Sequence, residues 1–382
     1  MSGGAPLRPP EGPGLYVHVP FCAARCAYCD FASEAPPDRS RIGLYLDALD
    51  RELERISWDR LPRTVYVGGG TPTVLPPPAL ERLLRRLQPL AAQAQEWTIE
   101  ANPGTVDEEV AARLRAAGVT RVSLGAQSFH EPALRTLGRI HNTEAIGRSV
   151  ATLRSAGFEH ISLDVMLAIP NRALEDLAQD LDAALALEPE HISAYLLSVE
   201  PGTPLAARIA RGLLAEPPEE QAVAEYELVS QRLAAAGLRP YEISNWARPG
   251  RECRHNLLYW TGGEYIGVGP AAHSHRGGVR WGNVQSLDEW AAALSKGWTP
   301  IAFEERLPPE RAARERLVMW LRLVEGFAEE DFRAATGVAP EEVAGAEIRS
   351  LVARGLLERT AWGLRLAPRA RLISNTVFAE LV

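Results

Sequence analysis

Three of the chain's four cysteines fall in one short run, Cys22-Ala-Ala-Arg-Cys26-Ala-Tyr-Cys29. A CxxxCxxC loop can offer three thiolates to three irons of a cubane cluster, leaving the fourth iron without a protein ligand. A closed zinc site would need a fourth ligand, from Asp30 or the distant Cys253. A loop of inert reduced thiols is the plainer alternative. A second run, Gly68-Gly69-Gly70-Thr71-Pro72-Thr73, lets backbone amides and carbonyls approach a ligand with no Cβ in the way, or else makes a tight turn. Glu100, in Thr98-Ile-Glu-Ala-Asn-Pro-Gly104, offers a carboxylate to a ribose hydroxyl or an ammonium group, or caps a helix. Gln127, Arg139 and Asp164 repeat that placement further along. Together they set neutral, basic and acidic groups around one cavity, suited to an adenosine and a carboxylate-bearing ligand.

These residues need a scaffold that gathers them. Apolar, β-branched runs recur at Leu15 to Val19, Thr64 to Val67, Trp97 to Ala101, Val119 to Leu124, His160 to Leu167 and His191 to Val199. Each is followed by a helical stretch, which is the alternation of a parallel β/α architecture. Gly118 and Gly157 read as helix ends. Six units are fewer than the eight of a closed barrel, so the fold expected is α/β, a partial (β/α)6 barrel with its site at the C-terminal ends of the strands. The division expected is a flexible tail over 1–14, the barrel over 15–215, an extension covering the ligand over 216–305, and a small helical, winged-helix-like domain over 306–382. The extension should hold a helix over Glu219 to Ala236 and a strand over Tyr241 to Ser244. In the last domain, helices at Arg311 to Val324 and Ala339 to Arg354 precede a hairpin from Leu356 to Leu366.

Composition narrows the function. With 382 residues, 46% hydrophobic and 24% charged, the chain reads as an ordinary folded protein of two to three domains. A net charge of -8 leaves no excess of cations for a phosphate backbone, so nucleic acid is not expected as a partner, and the winged-helix-like unit reads as structural or as a lid. No apolar run is long enough for a transmembrane helix, and Met1 to Gly14 lacks the apolar stretch of a secretory signal. A cytoplasmic location with reduced thiols is the expectation.

The cysteine spacing, placed after the first strand of a β/α series, resembles the radical S-adenosylmethionine (SAM) superfamily. That resemblance implies a 4Fe-4S cluster on Cys22, Cys26 and Cys29, with SAM chelating the open iron and cleaved by electron transfer to a 5'-deoxyadenosyl radical. It narrows to the coproporphyrinogen III oxidase-like (HemN/HemW) branch on several strings. These are Tyr16-Val-His-Val-Pro-Phe-Cys22, Gly68 to Thr73, Gly125-Ala-Gln-Ser-Phe129, His191-Ile-Ser-Ala-Tyr195, Val199-Glu-Pro-Gly-Thr-Pro204 and Tyr241-Glu-Ile-Ser-Asn-Trp246. Carried over residue by residue, the resemblance assigns SAM contacts to Tyr16, Tyr28, Gly69, Gly70, Thr71, Glu100, Gln127, Arg139, Asp164 and Ser198. One departure is Leu167-Ala-Ile-Pro-Asn171, where the family has Tyr-Gly-Leu-Pro-Gly; the missing glycines put this strand end in question.

Within the branch, the oxidases resemble CxxxCxxCxC, but Phe31 stands at the last position, and only 21 residues precede Cys22, too few for the oxidases' long N-terminal extension. Both departures favour the haem-carrier side. There the expected partners are haem or a porphyrinogen, haem-accepting apoproteins and an electron donor for the cluster, and the alternative activity is oxidative decarboxylation of porphyrinogen propionates to vinyls. The run Cys253-Arg-His-Asn-Leu-Leu-Tyr-Trp260 supplies candidate haem residues. His255 can ligate the iron, and Tyr259 and Trp260 can stack on the macrocycle, with Cys253 a second possible ligand. A lone imidazole beside aromatics is also a common packing arrangement. His273-Ser-His275 could bind a metal through alternating imidazoles, but in the family it resembles a glycine-rich structural turn facing the cavity, which is the reading taken, and His18 reads as a hydrogen-bonding residue on the first strand.

Overall fold

The computed structural model describes residues 11–382, so the tail expected over 1–14 lies outside the described residues as far as position 10. Gly14 does not belong to a tail but opens the first strand. The six expected strands are all present: β1 (Gly14–Val19), β2 (Thr64–Gly69), β3 (Glu96–Ala101), β4 (Arg121–Gln127), β5 (His160–Leu167) and β6 (His191–Leu196). They pair in parallel and in chain order. Because helices cover the outer face and side chains fill the inner one, the strands are buried on both sides: Leu15, Val17, Val65, Val67 and Leu163 lie on one face, and Thr98 and Ser162 on the other.

The connecting helices follow from local signals. Pro77–Leu87 starts on prolines, whose fixed φ suits a first turn, and buries Leu80, Leu83, Leu84 and Leu87 as one stripe. Glu108–Ala117 is capped by the Asp107 carboxylate on Val110 N, at 2.8 Å, and stopped by Gly118 at φ 99°.

Beyond β6 the sheet grows at both edges. The segment Tyr241–Ser244 is not the strand expected. It is a turn between β7 (Arg239–Pro240) and β8 (Asn245–Ala247), because the buried Glu242 carboxylate takes the Ser244 amide at 2.7 Å and the Asn245 side chain at 2.6 Å. At the other edge β9 (Tyr265–Val268) adds to β1 in parallel, followed by antiparallel β10 (His273–Arg276), β11 (Val279–Asn283) and β12 (Ile301–Glu305). The resulting twelve-stranded sheet has β12 and β7 as its free edges, so the barrel is open.

The C-terminal helices Pro309–Leu321, Glu329–Thr336 and Pro340–Ala353 pack with a three-stranded sheet of β13 (Phe327–Ala328), β14 (Leu357–Arg359) and β15 (Gly363–Leu366). Leu317, Phe332, Ile348, Leu351 and Leu364 form a core separate from that of the barrel. The helices and the hairpin of the expected winged-helix-like unit are both there.

The glycine-poor strand end after β5 keeps the backbone that glycines would favour. Ala168 stands at φ 55° and Asn171 at φ 61°, both left-handed. The loop is pinned by Ala168 N on Glu225 Oε2, at 2.8 Å, and Arg172 Nη1 on the Met166 carbonyl, at 2.9 Å. Arg172 in turn is fully buried between Asp180 and Glu225.

Candidate functional site

The cysteine loop leaves β1 through Pro20 and Phe21 and is laced to its surroundings by backbone bonds. The Gly70 amide reaches Val19 O at 2.8 Å, the Thr71 amide reaches Phe21 O at 2.6 Å, and Ala27 N reaches Leu137 O at 2.9 Å. A Cβ at Gly70 would lie 2.4 Å from Phe21 O, so only glycine lets the turn after β2 close on the loop. All three thiols are partly exposed and line one cavity of about 380 Å3. Arg139 Nη1 lies 3.2 Å from Cys26 Sγ, and Thr71 Oγ1 lies 3.8 Å from Cys22 Sγ. Burial pushes the Cys22 and Cys29 thiols up, so their thiolate forms call for a cationic partner such as iron.

The strand ends complete this cavity. Glu100, at the end of β3, accepts from Tyr66 OH at 2.7 Å and from Gly69 N at 3.0 Å. Burial lifts its carboxyl to about 7, opposed by the Tyr66 hydrogen bond and reinforced by the nearby Asp164. Asp164, on β5, accepts from Ser123 Oγ at 3.2 Å and is likewise raised by burial. Gln127 ends β4 in the left-handed region at φ 67°, and its Oε1 is buried with no partner. Arg139 donates to Gly125 O at 2.8 Å and to Asn102 Oδ1, while Asn102 Nδ2 donates to Thr71 Oγ1 at 2.6 Å. The sequence reading missed Asn102 and Tyr66. Asn102 is two residues past Glu100, hence on the same side of an extended chain, which was a usable signal.

Of the residues assigned to SAM, all but Tyr16 line this cavity, including Tyr28 and Ser198. Tyr16 instead lines a neighbouring cavity of about 830 Å3, which shares Asp30, Phe31, Gly69 and Glu100 with the first. Its hydroxyl donates to His18 Nδ1 at 3.0 Å, and His18 Nε2 donates to Ala32 O at 2.9 Å. The three unshared thiol positions, the orphaned Gln127 oxygen and the Glu100 carboxylate form a donor set that fits a cluster and an amino-acid-bearing cofactor.

The candidate haem residues are split. Tyr259 and Trp260 line the larger cavity, but His255 does not reach it. Helix Arg254–Trp260 turns His255 inward under β2, where Nδ1 meets Thr64 Oγ1 and Nε2 meets Tyr259 OH, both at 2.8 Å. The ring also stacks on Tyr66, and burial pushes the imidazole down to about 3. Both nitrogens are therefore engaged, and the spacing of four that looked like a haem motif serves a hydrogen bond along one helix face. Cys253 lines the cysteine-loop cavity from the far end of the strands, with Sγ 3.5 Å from Glu96 Oε1 at the start of β3 and its thiol raised to about 12 by burial. At ~3.3 Å per residue, Glu96 is about 13 Å down the strand from Glu100, so Cys253 stands at the opposite end of β3 from Glu100.

Comparison with known proteins agrees with this geometry. Residues 16–184 match the radical SAM superfamily and residues 307–373 match the HemN C-terminal domain. The chain is 40% identical over 395 residues to heme chaperone HemW of Mycobacterium tuberculosis (strain ATCC 25618 / H37Rv), covering 100% of this chain and 97% of that protein. It is 34% identical over 378 residues to heme chaperone HemW of Bacillus subtilis (strain 168), covering 96% and 98%. In fold it is similar to coproporphyrinogen III oxidase (HemN) from Escherichia coli, with a TM-score of 0.85 and 22% identity over 97% of this chain and 90% of that one. With such identity to HemW proteins along its whole length, and the superfamily's cysteine loop on its first strand, the chain belongs to the HemW family of radical SAM proteins, a superfamily characterised by a 4Fe-4S cluster and SAM.

Proposed function

We propose that this protein is a haem chaperone that holds haem in the larger cavity and passes it to acceptor apoproteins. The observation that carries the reading is the adjacency of two cavities. One is ringed by the cysteine loop and the strand-end polar groups, and it shares Asp30, Phe31, Gly69 and Glu100 with a larger one walled by Tyr259, Trp260 and Tyr265. A flat apolar macrocycle suits an aromatic-walled cleft of several hundred cubic ångströms.

In this reading Cys22, Cys26 and Cys29 hold the cluster, and Glu100, Gln127, Arg139 and Asp164 hold SAM with the glycine turn. The bound pair supplies one-electron chemistry, drawn from an external electron donor. The protein's own part is positional. Arg139 fixes Cys26 and Asn102 at once, and Glu100 presents a carboxylate to the cofactor's ammonium from a site shielded by Tyr66. Among the described residues no helix is long and apolar enough to cross a membrane.

The test is an anaerobic titration of cluster-reconstituted protein with haem, followed by desalting and measurement of the retained Soret band. Stoichiometric retention, and transfer to an apoprotein, is the expected result. Formation of vinyl groups from coproporphyrinogen under the same conditions would replace the chaperone reading with the oxidase.

A further inference from the structure

We propose that His275 ligates the haem iron through Nε2 and that Arg316 receives a haem propionate, both from the wall of the larger cavity. The inference rests on the haem-chaperone reading and names the contacts that reading leaves open.

β10 carries His273 and His275 on one face, because Ser274 between them points into the sheet and bonds Gly267 N at 2.8 Å. Both imidazoles line the cavity. They differ in what holds them. His273 is exposed and meets only the edge of Phe303, with ring centroids 5.3 Å apart. His275 is half-buried, and its Nδ1 lies 3.1 Å from the Gly263 carbonyl. A carbonyl can only accept, so Nδ1 carries the proton and Nε2 keeps its lone pair. That lone pair has no hydrogen-bond partner among the described residues. A ligating histidine whose other nitrogen donates to a backbone carbonyl is a standard way of fixing ring orientation and ligand basicity. The contrast with His255, whose two nitrogens are both taken, is direct.

The same turn positions a cation. Arg316, on helix Pro309–Leu321, lies against Gly262, with Nη2 3.4 Å from its carbonyl. It is half-buried and makes no salt bridge among the described residues, whereas Arg280 on the same cavity is paired with both Glu305 and Glu315. Burial lowers the Arg316 guanidinium from its ordinary value, as expected of a cation without a partner. A carboxylate entering the cavity would gain a charge-assisted, bidentate contact there. Gly262 and Gly263 thus hold the anion receptor and the metal ligand at adjacent carbonyls, with Trp260 two residues before them to meet the ring.

The experiment compares binding of haem and of haem dimethyl ester, which lacks the propionate charges, to wild-type protein and to H275G and R316Q. Wild type is expected to bind haem about ten-fold or more tightly than the ester, and R316Q to bind the two alike. H275G is expected to lose the imidazole-ligated Soret and visible bands, and added imidazole to restore them, which repair of a merely structural defect would not do. A wild type that retains no haem would overturn the chaperone reading, and this inference with it. A wild type that retains haem but does not distinguish it from the ester would overturn the Arg316 assignment without any variant. An H275G protein with the wild-type haem spectrum would overturn the His275 assignment while leaving the chaperone reading intact.

Discussion

Glu100 is a carboxylate that the fold keeps at a cost, and replacing it by glutamine should expose that cost. In the protein free of cluster and SAM, its carboxyl is raised from 4.5 to about 7, chiefly by burial. The folded state therefore binds this proton more tightly than the unfolded state does. Protonation favours folding, so this contribution is fully present below pH 4.5 and is lost as the pH rises through about 7. At 1.36 kcal/mol per pH unit the loss is at most about 3 kcal/mol, and less if water reaches the carboxylate. E100Q titrates nowhere in this window. Its amide oxygen can still accept from Tyr66 OH, but its NH2 group cannot accept from Gly69 N as Oε2 does, a penalty of about 1 kcal/mol at every pH. The variant should then be about as stable as wild type near pH 5, where wild type has already lost about 1 kcal/mol, and more stable by about 2 kcal/mol near pH 8. Urea unfolding of the apoproteins, followed by tryptophan fluorescence, to which buried Trp97 on the same strand contributes, measures the difference directly. A gap between the two proteins that stays constant from pH 5 to pH 8 would refute the reasoning. Holding an ionised carboxylate there against this tendency makes sense when a bound ammonium group neutralises it.

Other outcomes follow from the same geometry. C26S should fail to develop the brown chromophore on anaerobic reconstitution while its far-ultraviolet circular dichroism stays that of wild type, since the loop is anchored by backbone bonds; full iron content in the variant would contradict the cluster assignment. R172M leaves the Asp180 and Glu225 carboxylates buried without their cation and should cost about 3–5 kcal/mol in urea unfolding, so that a loss below about 1 kcal/mol would mean the triad does not hold this loop. A168G removes a left-handed alanine that costs about 1–2 kcal/mol, against about 0.5–1 kcal/mol of added chain entropy, and should raise the melting temperature slightly. A clear fall in melting temperature would show that the alanine is not strained.

Much of the molecule was legible from residue order, where the controlling physics is local. A thiol spacing of three and two residues sits on one loop whatever surrounds it, and six apolar runs separated by capped helical stretches admit few arrangements besides consecutive parallel strands. The segment Tyr241–Ser244 misled because its apolar pattern competes with a buried carboxylate that binds two neighbours and forces a turn. The spacing of four between His255 and Tyr259 misled for a related reason. Helical spacing says that two side chains can meet, but not whether their face turns towards a cavity or towards β2. Nor could the order of residues show that a sheet extended at its β1 edge would bring His275 and Arg316, 41 positions apart, to one cavity beside the Gly262–Gly263 turn. That juxtaposition depends on how strands added late in the chain pair with the first, so the chemistry of the cysteine loop is determined by sequence alone, whereas the identity of the groups facing its neighbouring cavity is decided by long-range packing.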